Sequence, residues 1–421
     1  MKIKNKTLSY EKVLQIKKEK HKKPRKPNIF FRTLMKIISN EELKKVSFSC
    51  EHINMEKLSK KEPAIFLMNH SSFIDLKIAT VVLYPRPFNI ICTNDGFVGK
   101  RWIMRQLGCI PTRKFVADTR LVADMVYAIK KLKSSILMYP EASYSFDGTA
   151  TPLPDSLGKC LKLLNVPVVM IKTKGSFSRD PLYNMLQVRD VKVSATMEYI
   201  LSKEDIQNKT ADEINEILKE HFTFDNFKWQ QENNIVIDEP FRADGLNRVL
   251  YKCPSCNAEG CMEGKGTQLT CTKCGKRWFL DEYGFLQTDG KGKTFNHVPD
   301  WYKWERDCVR KEIKNKTYKL DIPVNISILK NSKCLYNVGD GRLIHDINGF
   351  TLTGCGGKLN YVQSPMASYS LYSDYYWYEI GDMISIGDVD LSYYCFPKTK
   401  NDIVAKARLA TEELYKQSKN S

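Results

Sequence analysis

Ala64-Ile65-Phe66-Leu67-Met68-Asn69-His70-Ser71-Ser72-Phe73-Ile74-Asp75 runs from an unbroken apolar stretch into a polar turn. Behind it, Leu76, Ile78, Ala79 and Val82 recur at helical spacing. The pattern predicts a strand ending at His70 and a helix starting near Ser72. His70 and Asp75 then stand five positions apart across a strand-to-helix turn, where one side chain folds back onto the other. A His whose second ring nitrogen is held by a carboxylate is a general base able to take a proton from a hydroxyl. Ser72 and Asp75 also have the spacing of a capping box, in which Asp75 would satisfy backbone N–H groups. The residues of the turn alone leave both readings open.

The same alternation continues outward. Further strands are expected at Val46–Cys50, Phe88–Cys92, Ser135–Met138, Val166–Thr173 and Val191–Tyr199. Helices are expected around 73–83, 99–107, 117–131 and 156–164, and a polar helical stretch over 203–222 closes the region. Strands alternating with helices of about ten residues define an α/β domain with a largely parallel sheet. In such a sheet the carboxyl ends of the strands line the ligand crevice. Gly108 to Arg113 puts a cation just after a short strand. Tyr139-Pro140-Glu141-Ala142-Ser143-Tyr144-Ser145 puts Glu141 where the strand Ser135–Met138 ends. A base, a cation and a carboxylate are thus expected to converge from distant positions.

Of the 421 residues, 42% are hydrophobic, a globular composition with room for two or three domains. No run of about 18 uncharged apolar residues occurs, so no transmembrane helix is expected. Met1 to Lys6 has no apolar stretch of the kind that follows the start of a secretory signal. Cys92, Cys109, Cys160 and Cys395 are scattered singly in apolar surroundings, as in a reducing cytosol. The net charge is +18, and half of it falls in residues 1–26. Phe30, Leu34, Ile37 and Ile38 then follow at helical spacing, with Arg32 and Lys36 on the other side. A basic arm and an amphipathic helix over 1–40 suit an anionic membrane surface, giving a peripheral location on the inner face of the cell membrane. A solvated basic tail and a helix docked on the core fit the same residues. Nucleic acid also attracts such charge, but the arm has little aromatic interleaving.

Composition changes near Lys252. Cys253-Pro254-Ser255-Cys256 and Cys271-Thr272-Lys273-Cys274 are separated by fourteen residues rich in glycine and poor in apolar side chains. Two such knuckles supply four thiolates for a tetrahedral structural zinc, without an open position for chemistry. Cys261, between them, is expected to be a spare thiol. A charged helix over Trp301 to Lys314 leads to an aromatic-rich region of about seven short strands with a final helix, Asp402 to Lys416. This suggests a small barrel or sandwich that looks like a PH-like barrel in arrangement. The expected organisation is 1–40 arm and helix, 41–240 α/β domain, 250–290 zinc ribbon and 318–417 β-rich domain.

Asn69 to Asp75 resembles the His-x-x-x-x-Asp motif of the glycerolipid acyltransferases, the 1-acyl-glycerol-3-phosphate acyltransferase family. Gly108 to Arg113, Tyr139-Pro140-Glu141 and Val166-Pro167-Val168 resemble its second, third and fourth blocks, in order, over roughly residues 45–225. The resemblance implies acyl transfer from a thioester, on coenzyme A or acyl carrier protein, to a hydroxyl of a lysophosphatidic acid-like lipid in phospholipid synthesis. It implies His70 as base, Asp75 as its orienter, and Arg113, Glu141 and Ser143 as substrate-binding residues, with backbone N–H groups near Ser71 and Ser72 as oxyanion donors and no catalytic metal. One departure stands out: the family's Gly-Thr-Arg after the Glu reads Ala142-Ser143-Tyr144 here. The missing Arg leaves a different lysophospholipid or glycolipid acceptor open, with Lys114, Lys172 or Lys174 as substitute cations. A competing reading, from the charge and the ribbon, is an inactive nucleic-acid- or protein-binding module.

Overall fold

The computed structural model of the protein describes residues 2–288, 292–399 and 402–420. At its centre is a seven-stranded sheet in the order Ser49–Ile53, Ser194–Leu201, Val168–Lys174, Ile65–Met68, Ser135–Met138, Phe88–Thr93, Cys109–Thr112. The last five strands are mutually parallel. Ser194–Leu201 runs antiparallel to Val168–Lys174, and Ser49–Ile53 follows it. All four residues of Ile65–Met68 are buried, because helices cover both faces of the sheet. Phe66 and Met68 pack with Ile74, Ile78 and Ala79 on one face. Ile65 and Leu67 pack with Met125, Leu157, Leu161, Ile214 and Leu218 on the other. The helix expected from Ser72 starts at Asp75 instead.

The ribbon is a four-stranded antiparallel sheet, Leu286–Gln287, Arg277–Leu280, Gln268–Cys271 and Met262–Lys265. It is too small to build a core of its own. Leu269, Trp278 and Leu280 pack into one cluster with Val298, Trp301 and Tyr302 of the helix Val298–Lys314. The indole of Trp301 donates to the Lys252 carbonyl at 2.9 Å.

The C-terminal region is β-rich. Its seven strands lie in the order Leu359–Gln363, Gly349–Gly354, Leu335–Asp346, Lys319–Leu329, Ser392–Pro397, Gly381–Gly387, Tyr372–Trp377. Ile326, Ile328, Ile384 and Cys395 from one face of this sheet share a core with Leu409 and Ala410 of the helix Val404–Asn420. That helix is buried from Val404 to Leu414. Ion pairs tie it outward: Lys406 reaches Glu259 of the ribbon at 2.7 Å and Glu312 at 2.8 Å, and Arg306 meets Glu412 at 2.7 Å.

The basic N-terminal segment is a strap. Asn5–Thr7 pairs in parallel with Leu335–Asn337 of the C-terminal sheet. Further on, Arg105 donates to the carbonyls of Lys22 and Lys23, and Asn89 to that of Arg25. Glu19 bridges Arg101 at 2.8 Å and the Ser332 hydroxyl at 2.7 Å. The backbone thus binds the protein through its carbonyls. The following helix extends over Ile29–Lys45 and buries Ser39 and Leu43. Its other face is open: Phe30 is 66% exposed, Ile37 57% and Ile38 54%. Among the described residues, no helix is long and apolar enough to cross a membrane.

Candidate active site

Because the five central strands are parallel, their carboxyl ends open along one edge. His70 follows Ile65–Met68, Glu141 follows the adjacent Ser135–Met138, and Arg113 follows the edge strand Cys109–Thr112. Three strand spacings separate the ends bearing His70 and Arg113, or about 14 Å.

Asp75 is fully buried as the first residue of its helix. Its Oδ2 accepts the backbone N–H of Ser71 at 2.7 Å and of Ser72 at 3.0 Å, and lies 3.3 Å from His70 Nδ1. One oxygen serves the turn and the ring together, while Oδ1 is buried without a hydrogen-bond partner among the described residues. The base-orienting and capping geometries therefore coexist. The Ser71 and Ser72 N–H groups, expected from the sequence as oxyanion donors, are already spent on Asp75. The reason is the later helix start, which aims the carboxylate back into the turn.

His70 is held on every side. Its N–H donates to Glu141 Oε2 at 2.9 Å, and its carbonyl accepts from Ser145 N–H at 3.1 Å. Its ring lies between Tyr139 and Tyr144, with centroid separations of 4.2 Å and 3.9 Å. Burial disfavours the imidazolium more than Asp75 favours it, so the pKa falls below the ordinary 6.5. At neutral pH the ring is a neutral base with Nδ1–H toward Asp75 and a lone pair on Nε2.

Glu141 uses both oxygens on the protein. Oε2 receives His70 N–H, and Oε1 receives the Thr151 N–H at 2.7 Å and its hydroxyl at 3.2 Å. Burial raises this carboxyl to about 7. Ser143 is buried, and its hydroxyl has no hydrogen-bond partner among the described residues. Ala142 holds φ at +55°, so the chain keeps a left-handed turn at the family's Gly position despite the added Cβ.

Tyr144 covers the His70 ring and offers its carbonyl to Arg408 Nη1 at 3.1 Å. Arg408 comes from the terminal helix, is 2% exposed, and stacks 4.1 Å over Phe146. A cation thus approaches the altered block from outside the α/β region. The Arg113 side chain forms no hydrogen bond or ion pair among the described residues, and its Nε is buried. Lys114 stands 4.2 Å over the Tyr372 ring of the C-terminal sheet, and burial lowers its pKa. Sequence reasoning missed Arg408 and Tyr372. Neither lies in a motif, and only tertiary packing brings them here.

The four cysteines of the knuckles place their sulfurs within 4.8 Å of one another. Cys253–Cys274 and Cys256–Cys271 are each 3.7 Å apart. Thiolates about 2.3 Å from a tetrahedral centre stand about 3.8 Å apart, so the set fits a metal ion. Cys261 is not in it; its thiol faces the Glu259 carbonyl at 3.4 Å.

Residues 49–173 match the sequence model of the Acyltransferase family, so the protein carries an acyltransferase domain. The matched region contains His70, Asp75, Arg113 and Glu141. A solved structure that is similar to this chain is the 1-acyl-sn-glycerophosphate (LPA) acyltransferase PlsC from Thermotoga maritima. The identity is 16% and the TM-score 0.35, over 45% of this chain and 76% of that one. A search of curated proteins found no match.

Proposed function

We propose that the protein is an O-acyltransferase moving a fatty acyl group from an acyl thioester, on coenzyme A or acyl carrier protein, to a hydroxyl of a lysophosphatidic acid-like glycerolipid in phospholipid synthesis. The observation that carries this reading is the neutral His70 ring, with Nδ1 tied to buried Asp75 and Nε2 left for substrate. Nε2 takes the hydroxyl proton as the oxygen attacks the thioester carbonyl, and Asp75 steadies the imidazolium. The tetrahedral intermediate then collapses. The C–S bond breaks, the C–O bond remains, and the departing thiolate takes the proton back from His70. Arg113 pairs with the acceptor phosphate, for which a planar guanidinium is suited. Glu141 braces the His70 turn, and the unpartnered Ser143 hydroxyl faces the acceptor. Tyr144 in the family's Arg position favours a second reading, in which the acceptor is a different lysophospholipid or a glycolipid.

The four thiolates hold one structural Zn²⁺, and a closed four-sulfur set gives the ribbon a fixed shape rather than a reactive metal. The protein works at the cytoplasmic face of the membrane, docked by the exposed face of Ile29–Lys45. Trp102, 66% exposed, extends that face, and the lysines of the strap attract anionic lipid. The fold of 318–417 is a PH-like barrel, a reading supported by its seven-strand order around a terminal helix.

His70→Ala tests the central step. Transfer from a long-chain thioester to lysophospholipid is expected to fall by about 10²–10⁴-fold. Undiminished transfer would overturn the reading.

A further inference from the structure

A cleft separates the Arg113 loop from the outer face of the C-terminal sheet. Arg113 and Lys114 line one wall, and Ser385, Ser392, Tyr394 and Gln363 line the other. The second wall lies wholly outside residues 49–173, so the acyltransferase match says nothing of it.

The first wall carries two cations without a direct ion pair. Neither Arg113 nor Lys114 has an ion-pair partner among the described residues, and a desolvated cation without an anion is unfavourable. Asp374 and Asp95 act on Lys114 through space without contacting it, and each accepts a hydrogen bond of its own. Asp95 accepts the Tyr372 hydroxyl at 2.5 Å and the Tyr394 hydroxyl at 3.5 Å. Asp374 accepts the Tyr375 N–H at 2.9 Å, and burial lifts its carboxyl to about 7. The wall thus offers two cationic side chains with no direct carboxylate contact, and a phosphate is the anion that matches two adjacent donors of this kind.

The second wall carries hydroxyls. Strand alternation turns Tyr394 outward to the cluster containing Tyr372 and Trp377, while Tyr393 and Cys395 face the inner core. Ser385 pairs with Tyr394 across the ladder and Ser392 with Gly387, which brings these side chains together. The Ser385 and Ser392 hydroxyls make no hydrogen bond among the described residues. A wall of open hydroxyls opposite two cations recognises a ligand with both a phosphate and hydroxyl groups.

We propose that this cleft is the head-group site, and that it takes a phosphate bearing further free hydroxyls, as in a polyol or sugar phosphate. Lys114 restores the cation that Tyr144 displaces, and the C-terminal sheet selects the acceptor. The proposal rests on the acyltransferase reading for the reaction, but not for the binding.

The test uses the full chain. Calorimetric titration with sn-glycerol 3-phosphate, glycerophosphoinositol and methyl phosphate reads the soluble ligands. Micellar lysophosphatidylinositol and lysophosphatidic acid in acyl-transfer assays read the lipids. Glycerophosphoinositol is expected to bind more tightly than methyl phosphate. Lys114→Met should weaken all phosphate ligands about tenfold or more, the effect of losing one charge-assisted hydrogen bond. Ser385→Val, a change at the surface with thermal melting as the control for folding, should weaken the hydroxylated ligands severalfold and leave methyl phosphate unchanged. In transfer, both variants should raise KM more than they lower kcat. Equal binding by wild type and both variants, or no preference for hydroxylated phosphates, overturns the proposal. Binding that responds to the variants in a protein without transfer to any lipid supports the cleft and counts against the acyltransferase mechanism alone.

Discussion

Asp75 Oδ2 receives two backbone N–H groups and faces His70 Nδ1, so its charge is shared between holding a turn and steadying a ring. An enclosed His70 favours the neutral imidazole, and the sign of the pH dependence follows. As pH falls, the base is lost only when the ring protonates, and that point lies below the ordinary 6.5. The acid limb of kcat/KM is therefore expected below pH 6.5, measured with a soluble thioester donor; a limb at or above that value would show a more solvated ring. At this scale the sequence was legible for His70 and Asp75, because five residues of turn leave few geometries. It was less legible for Ser71 and Ser72. Whether their N–H groups face substrate or Asp75 depends on a helix start three residues later than expected. Ala142 is a further case: only the positive φ, not the residue type, reveals that the turn keeps its left-handed form.

At the scale of elements, the ribbon depends on two sources of order, its thiolates and its neighbour. Trp278 and Trp301 pack with ring centroids 4.8 Å apart across the boundary. Metal removal is then expected to loosen the ribbon and, through Lys406 and Glu259, the terminal helix. Purified protein should hold about one zinc per chain. Cys271→Ser should lose it and melt at a lower temperature, whereas an unchanged metal content or melting temperature would remove zinc from the account. The strand Ser135–Met138 was legible residue for residue, since a short apolar run bounded by turns has one extended reading. The apolar face of Ile29–Lys45 was legible as a face, but its periodicity does not say whether core or solvent receives it. The structure leaves Phe30, Leu34, Ile37 and Ile38 in solvent.

Across the whole molecule, the basic strap leads into a helix whose apolar face is exposed. An exposed patch of this kind marks an interaction surface. Replacing Phe30 and Ile37 together by Ser is expected to weaken binding to anionic vesicles about tenfold or more, and added salt should weaken it further. Binding that is indifferent to both changes would remove the membrane from the proposed function. The assembly of the site from two regions was not legible. Arg408 meets Tyr144 across 264 positions and Tyr372 meets Asp95 across 277. No local periodicity encodes such pairs, whereas the four acyltransferase blocks lie within one stretch. The strap shows the same limit from the other side. Its lysines are plain in the sequence, but much of the binding is done by backbone carbonyls, which every residue has.

The terminal helix has a consequence in time. Strand–helix units of the α/β part close short loops and form early, whereas contacts across such long separations close late. During refolding, far-ultraviolet ellipticity should recover before catalytic turnover, because Arg408 reaches Tyr144 only after the C-terminal sheet has wrapped its helix. A nascent chain would thus pass through a stage with a formed sheet and a Tyr144 turn not yet braced by Arg408, and the slow docking of one helix would set the moment at which that turn is fixed.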